Sequence, residues 1–173
     1  MPKNIRNITA AVVDGLEMIL FDFDGVFTNN SVYVDQNGLE SVACSRSDGL
    51  GLARLRELGI KMCIVSTEKN PVVSVRAKKL KLDCRQGVPD KSIAVREICE
   101  KFDISARRVM FVGNDINDIP AFNEVGIPVG VQDSFNEILP HISYITSNAG
   151  GNGVVREICD VIYFHKKNLE NMN

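Results

Sequence analysis

The stretch Met18-Ile19-Leu20-Phe21-Asp22-Phe23-Asp24-Gly25-Val26-Phe27-Thr28 constrains this chain more than any other. Met18 to Phe21 is an unbroken apolar run of strand length. That is the pattern of a strand buried on both faces, in a parallel sheet with helices above and below. Such sheets carry their chemistry at the carboxyl ends of the strands, and here that end presents Asp22 and Asp24. Alternate residues of a strand share a face, so the two carboxylates would project together if the strand continued. Gly25 lets the chain turn away at once and leaves both at an open mouth. Two readings stay open on these residues alone: a pair of catalytic carboxylates, or an Asx-type turn that merely ends a core strand.

The theme recurs along the chain. Further strands are expected at 61–66, 83–85, 108–113, 127–131 and 144–146, the last at a sheet edge. Helices are expected over 50–58, 71–80, 92–102 and 134–140, and again after the glycine-rich segment 148–153. This alternation defines a doubly wound, three-layer α/β domain with a Rossmann-like sheet. Residues 31–35 and 39–44, separated by a segment ending in Asn37-Gly38, read as a β-hairpin flap directly after the first strand. Only about twenty residues separate Thr28 from the next helix, too few for a separate cap domain. The expected organisation is an N-terminal arm over 1–17, one domain over 18–164 and a frayed tail over 165–173. Ile8, Ala11 and Val12 would form the apolar side of the arm.

Composition narrows the function. A chain of 173 residues with 45% apolar content can bury one core. A formal charge of −2 and a pI near 5.7 argue against nucleic acid as a main partner. No apolar run approaches a membrane span, and residues 1–17 lack a signal-peptide apolar region. The five cysteines are scattered without metal-ligand spacing, as expected for reduced thiols of a cytoplasmic protein. His141 and His165 also lack partners at ligand spacing.

Several other residues invite a chemical reading beside a plain one. Ser66 puts a small hydroxyl at the end of the second buried strand. The backbone amides from Thr67 to Asn70, ahead of Pro71, could serve an anion at a helix start. Lys91 opens a helix against the macrodipole, which suggests a fixed anionic partner; a surface pair with Asp90 or Glu97 is the plain alternative. Glu68 is equally well explained as an acid favoured near a helix N-terminus. Lys79 lies in a basic run with Arg76, Lys78 and Lys81 that reads as a solvated face. Arg46 or Asp48 could touch a substrate, and Ser47 or Asp48 could equally cap the helix that follows.

Taken in register, these segments resemble the haloacid dehalogenase-like (HAD) phosphohydrolases. Asp22-Phe23-Asp24-Gly25-Val26-Phe27-Thr28 is similar to their first motif, the run ending in Ser66 to the second, and Asp90-Lys91-x-x-Ala94 to the third. Gly113-Asn114-Asp115-Ile116-Asn117-Asp118-Ile119-Pro120 is similar to the fourth. The resemblance covers residues 18–164. It implies that Asp22 is a nucleophile forming an aspartyl-phosphate, that Asp24 is the general acid and base, and that Mg2+ bridges the site. Ser66, Thr67 and Lys91 would hold the phosphoryl group. Asp22, Asp24 and Asn114, with Asp115, would hold the metal, and Asp118 would orient a metal-bound water or Lys91. Two positions depart from the family pattern: Asn114 replaces the usual Asp, and Thr67 replaces the usual Gly.

Within the family, the flap, Ser45-Arg46-Ser47-Asp48-Gly49 and Gly150-Gly151-Asn152-Gly153-Val154-Val155-Arg156-Glu157 resemble the capless sugar-acid phosphatases. That resemblance implies a homotetramer in which flaps close over neighbouring active sites. It makes Glu68, Lys79, Arg46 and Arg156 candidate contacts for a small sugar-acid phosphate. Glu68 matches the phosphatases of nine-carbon (nonulosonate, sialic acid or KDN type) 9-phosphates. An Arg there would match those of 3-deoxy-octulosonate 8-phosphate, the nearest alternative. A rival of another class is a catalytically weak tetramerisation domain beside a CMP-acylneuraminate synthetase, which Asn114 keeps open.

Overall fold

In the computed structural model, which describes residues 1–170, the apolar run 18–21 divides its side chains between two cores. Ile19 and Phe21 enter one, with Leu52, Leu55, Val73 and Ile158; Met18 and Leu20 enter the other, with Val95, Ile98 and Phe122. A strand that feeds two cores has no position for a polar residue until it ends, which is why the run is unbroken.

In chain order the elements are β1 (Lys3–Asn4), α1 (Ala10–Asp14), β2 (Met18–Phe21), β3 (Tyr33–Val34), β4 (Glu40–Ser41), α2 (Ser47–Glu57), β5 (Lys61–Val65), α3 (Val72–Leu80) and β6 (Asp83–Arg85). Then come α4 (Lys91–Phe102), β7 (Val109–Gly113), α5 (Ile119–Phe122), β8 (Ile127–Gly130), β9 (Tyr144–Ile145) and α6 (Val154–Glu170). Among the described residues one parallel sheet runs β1-β9-β8-β7-β2-β5-β6. From β2 the chain winds outward through β5 and β6, then crosses back to β7 on the other side of β2. That reversal creates a crevice at the carboxyl end of β2, where ligands bind in open α/β sheets. Among the described residues no helix is long and apolar enough to cross a membrane.

The sheet and helices follow the expected three-layer α/β plan, with local corrections. The segment 1–17 is no separate arm. Lys3 and Asn4 pair with Tyr144 and Ile145, so β1 covers β9, which is therefore not an edge strand. Its anchors are Ile5, Ile8 and Val13 in the core, whereas Ala11 is exposed and Val12 only half-buried. Nor does the chain fray at 165: α6 continues to Glu170, and the Lys166 ammonium donates to the Asp14 carbonyl at the end of α1, at 2.8 Å. The remainder of the expected tail, 171–173, lies outside the described residues. The expected helix at 134–140 is a 3-10 turn, Asn136–His141, with Pro140 inside it. All five cysteines are free, with Cys63, Cys99 and Cys159 buried.

The flap is smaller than the two runs suggest. Only Tyr33–Val34 and Glu40–Ser41 pair, around a turn closed by Asp35 and Gly38. Residues 31–41 are all exposed, whereas Val42 turns inward against the core.

Candidate active site

Asp22 follows β2 directly, and its backbone amide still bonds to the Val112 carbonyl of β7 at 2.8 Å. It therefore sits at the crevice, level with the ends of β5 and β7. Beneath it, Phe21, Phe23 and Phe27 form a stacked and edge-to-face cluster that anchors the turn. Gly25 takes φ +77°, and a Cβ there would lie 2.1 Å from the Asn114 side-chain amide, so only glycine lets β7's first loop residue approach. From the other side Gly150 and Gly151 back the same turn. A Cβ on Gly150 would meet the Gly25 carbonyl at 2.2 Å, and the Gly151 amide donates to the Val26 carbonyl at 3.1 Å. The glycine-rich loop is thus a brace for the Asp22–Thr28 turn.

Lys91 is the centre of charge. Its side chain is fully buried, with Nζ 2.8 Å from Asp22 Oδ1 and 2.6 Å from Asp118 Oδ1. Asp118 in turn accepts from the Asn114 and Asp115 backbone amides through Oδ2, at 2.8 and 3.2 Å. This carboxylate explains why a lysine can open α4 against the helix dipole: it orients Lys91, and Lys91 orients Asp22. Lys91 and the Phe23 amide both hold Oδ1 of Asp22, so Oδ2 is left to face a reactant.

Two carboxylates share one buried ammonium here. Burial, then the neighbouring Asp118 charge, pushes Asp22 up to about 7, against the pull of Lys91 and the Phe23 amide. Burial disfavours the charge on Lys91, but Asp22 and Asp118 outweigh it and hold the ammonium above its ordinary range. The centre is therefore short of positive charge. Asp24, half-buried, is raised by burial, with Glu68 and Glu40 adding to the shift and Thr28 opposing it. Raised in this way, the Asp24 carboxyl holds its proton to a higher pH than a free aspartate does. Thr28 fixes its place: the hydroxyl lies 3.3 Å from Asp24 Oδ1 and accepts from the Gly25 and Asn30 amides.

The donor set fits a hard divalent cation. Asp22, Asp24 and the Asn114 amide offer oxygens around one turn, and the excess negative charge on buried Asp22 is what such an ion would relieve. Among the described residues no group of three His, Cys, Asp or Glu side chains converges on a metal cage. Magnesium needs none, since it completes its shell with waters and substrate phosphate. Asp115 is placed differently: its carboxylate accepts from Ile116 N at 2.7 Å and caps the 116–118 turn. Asn114, not Asp115, packs against the Asp22–Gly25 turn.

The remaining expected site residues divide. Ser66 is buried at the end of β5, its hydroxyl accepting from the Glu68 amide at 3.1 Å. Thr67 is exposed, 3.4 Å from the Asn117 amide. Glu68 folds back on its own loop, with Oε1 accepting from the Lys69 and Asn70 amides at 2.6 and 2.7 Å, yet it also lines a cavity of about 270 Å3 shared with Asp24. Lys79 is not brought to the crevice. It lies seven residues down α3 from the end nearest the site, about 10 Å along the axis. Arg46, exposed at the start of α2, does not line that cavity. Arg156 is bonded to Asp160 at 2.6 Å and faces a different cavity, with Arg6, Asn152 and Phe164.

Asp48 has a role that local sequence does not reveal. Buried in the first turn of α2, it accepts from the Arg156 amide at 3.2 Å and so caps α6, 108 residues away. Burial pushes its carboxyl up to about 6. The folded chain thus binds this proton more tightly than the unfolded chain, and the contribution of Asp48 to stability falls as pH rises from about 4 to about 6. In Asp48→Asn, which keeps the acceptor, that fall of about 2–3 kcal/mol should vanish. Urea denaturation of both proteins across this pH range measures the difference.

A buried Asp–Lys–Asp centre at the switch point of a parallel sheet, with the Asp24 carboxyl beside it, is an arrangement suited to phosphoryl transfer. A model of the haloacid dehalogenase-like hydrolases matches residues 84–158. The 3-deoxy-D-manno-octulosonate 8-phosphate phosphatase of Escherichia coli is 32% identical over 161 residues, covering 92% of this chain and 86% of the relative. This chain belongs to the HAD-like hydrolases and is a phosphatase. A solved HAD-family hydrolase of Streptomyces avermitilis is 41% identical over 86% of each chain, with a TM-score of 0.84. The octulosonate 8-phosphate phosphatase of Moraxella catarrhalis, solved with magnesium, phosphate and KDO, superposes with a TM-score of 0.88 at 29% identity, over 94% of each chain.

Proposed function

We propose that this protein is a Mg2+-dependent phosphatase of a phosphorylated 2-keto-3-deoxy sugar acid, acting through an aspartyl-phosphate at Asp22. The observation that carries this is Lys91, buried between Asp22 and Asp118 at the mouth of the sheet. Asp22 Oδ2 attacks phosphorus while Asp24 gives its proton to the departing sugar oxygen. Asp24, now a carboxylate, takes a proton from the water that attacks the aspartyl-phosphate, releasing inorganic phosphate and restoring both residues. Lys91 and the Ser66 hydroxyl hold phosphoryl oxygens as charge shifts among them. Asp22, Asp24 and Asn114 would hold magnesium, which when bound would supply charge neutralisation between carboxylate and phosphate.

For the substrate, we favour a nonulosonate 9-phosphate. Glu68, on the wall of the cavity beside Asp24, supports it: an acid accepts hydroxyl protons of a longer chain, where an arginine would select a different group. The relatives named for octulosonate 8-phosphate favour the eight-carbon substrate as the second reading. Exposed Val32, Tyr33, Val34 and Leu39 on the flap, at 51–69% exposure, support association into a homotetramer. The test is phosphate release, with magnesium, from nonulosonate 9-phosphates, octulosonate 8-phosphate and hexose phosphates. A kcat/KM at least about tenfold higher for a nine-carbon acid is expected. Preference for the eight-carbon acid moves the assignment to the second reading, and no turnover by a folded tetramer supports an assembly domain.

A further inference from the structure

The cavity that Asp24 opens into is roofed by the flap and walled by the loop after β5. Its described lining includes the carboxylates of Asp24, Glu40 and Glu68 and no Lys or Arg. The flap's own pairing is only two residues long on each side, and residues 31–41 are exposed. Across the cavity, however, Asn70 Nδ2 donates to Glu40 Oε2 at 3.0 Å. Asn70 is a rigid anchor: its Oδ1 accepts from Val72 N at 3.0 Å at the start of α3, and its own amide donates to Glu68 Oε1 at 2.7 Å. A continuous line of hydrogen bonds therefore runs from the loop of Glu68 through Asn70 to the flap.

We propose that Glu40 and Asn70 form a latch that determines substrate specificity, holding the flap over the cavity so that it admits the uncharged hydroxylated chain next to the phosphate and turns the substrate's carboxylate outward. The inference rests on the phosphatase reading above. A carboxylate facing Glu40 and Glu68 would meet like charge, whereas hydroxyls can donate to both. Glu40 and Asn70 are specificity residues here, and neither carries a step of the phosphoryl transfer.

Asn70→Asp tests the latch without removing the cap on Val72, because the retained oxygen still accepts from that amide. It turns the donor toward Glu40 into a second carboxylate. We expect KM for the preferred sugar-acid phosphate to rise by about tenfold with kcat within about threefold. Amide hydrogen exchange across 31–41 should quicken. The swapped pair Glu40→Gln with Asn70→Asp, in which glutamine donates to aspartate, should restore both KM and slow exchange. An unchanged KM and exchange in Asn70→Asp, or no rescue by the swap, overturns the latch. If the wild type releases phosphate from nothing, the phosphatase reading fails, and the exchange arm still decides the latch.

Discussion

Asp22→Asn is expected to lower kcat by at least about 10,000-fold while leaving the protein as stable as the wild type at pH 7, or more so. The amide has the shape of the carboxylate but cannot form an acyl phosphate, so no other step compensates. The stability side follows from the same burial. Asp22 is pushed up to about 7 because its charge is desolvated and faces Asp118, so a neutral side chain there removes a cost. Lys91 keeps Asp118 as its partner at 2.6 Å. Paired measurements of kcat and of the unfolding midpoint check both halves. A variant that loses stability along with activity would show that Asp22 is mainly structural.

Lys91→Met should be damaging in both respects. It leaves Asp22 and Asp118 buried with no countercharge, in a space now lined by an apolar chain. Breaking a buried pair from one side typically costs about 3–5 kcal/mol, which for a domain of this size lowers Tm by roughly 10 °C. The loss should be larger at high pH than at low pH, because protonating the stranded carboxylates relieves it. Adding Asp118→Asn to Lys91→Met should recover about half of the lost stability and none of the activity. Thermal unfolding of the three proteins at two pH values, beside their phosphatase rates, makes the comparison.

Much of this site was legible in the sequence because its parts lie at the ends of strongly apolar strands. Asp22, Ser66 and Asn114 each directly follow such a run, and Lys91 opens a helix against its dipole. A parallel sheet brings such ends together without further information. What escaped reading depends on contacts that leave no local mark. The pairing of Lys3–Asn4 with β9 is two residues long and polar, so no periodicity announces it. Asp48 reads as a cap for its own helix, yet it caps α6, because the two helices meet at their starts. Arg156 and Lys79 sit in segments similar to those of sugar-acid phosphatases, but one is paired with Asp160 and the other lies down the side of α3. The latch joins Glu40 and Asn70 across 30 residues, from a hairpin strand and a helix start whose meeting neither segment announces.

The central claim is a covalent phosphoryl group on Asp22, and acid-quenched mass spectrometry tests it most directly. The Asp24→Asn enzyme would be mixed with magnesium and p-nitrophenyl phosphate, whose leaving group needs no proton, so that the intermediate forms but its hydrolysis lacks a base. A phosphoryl group on the peptide containing Asp22, removed by hydroxylamine and absent once Asp22→Asn is added, is the predicted result. Phosphate release by the wild type with no phosphoryl group on Asp22, or with one carried elsewhere, would contradict the account.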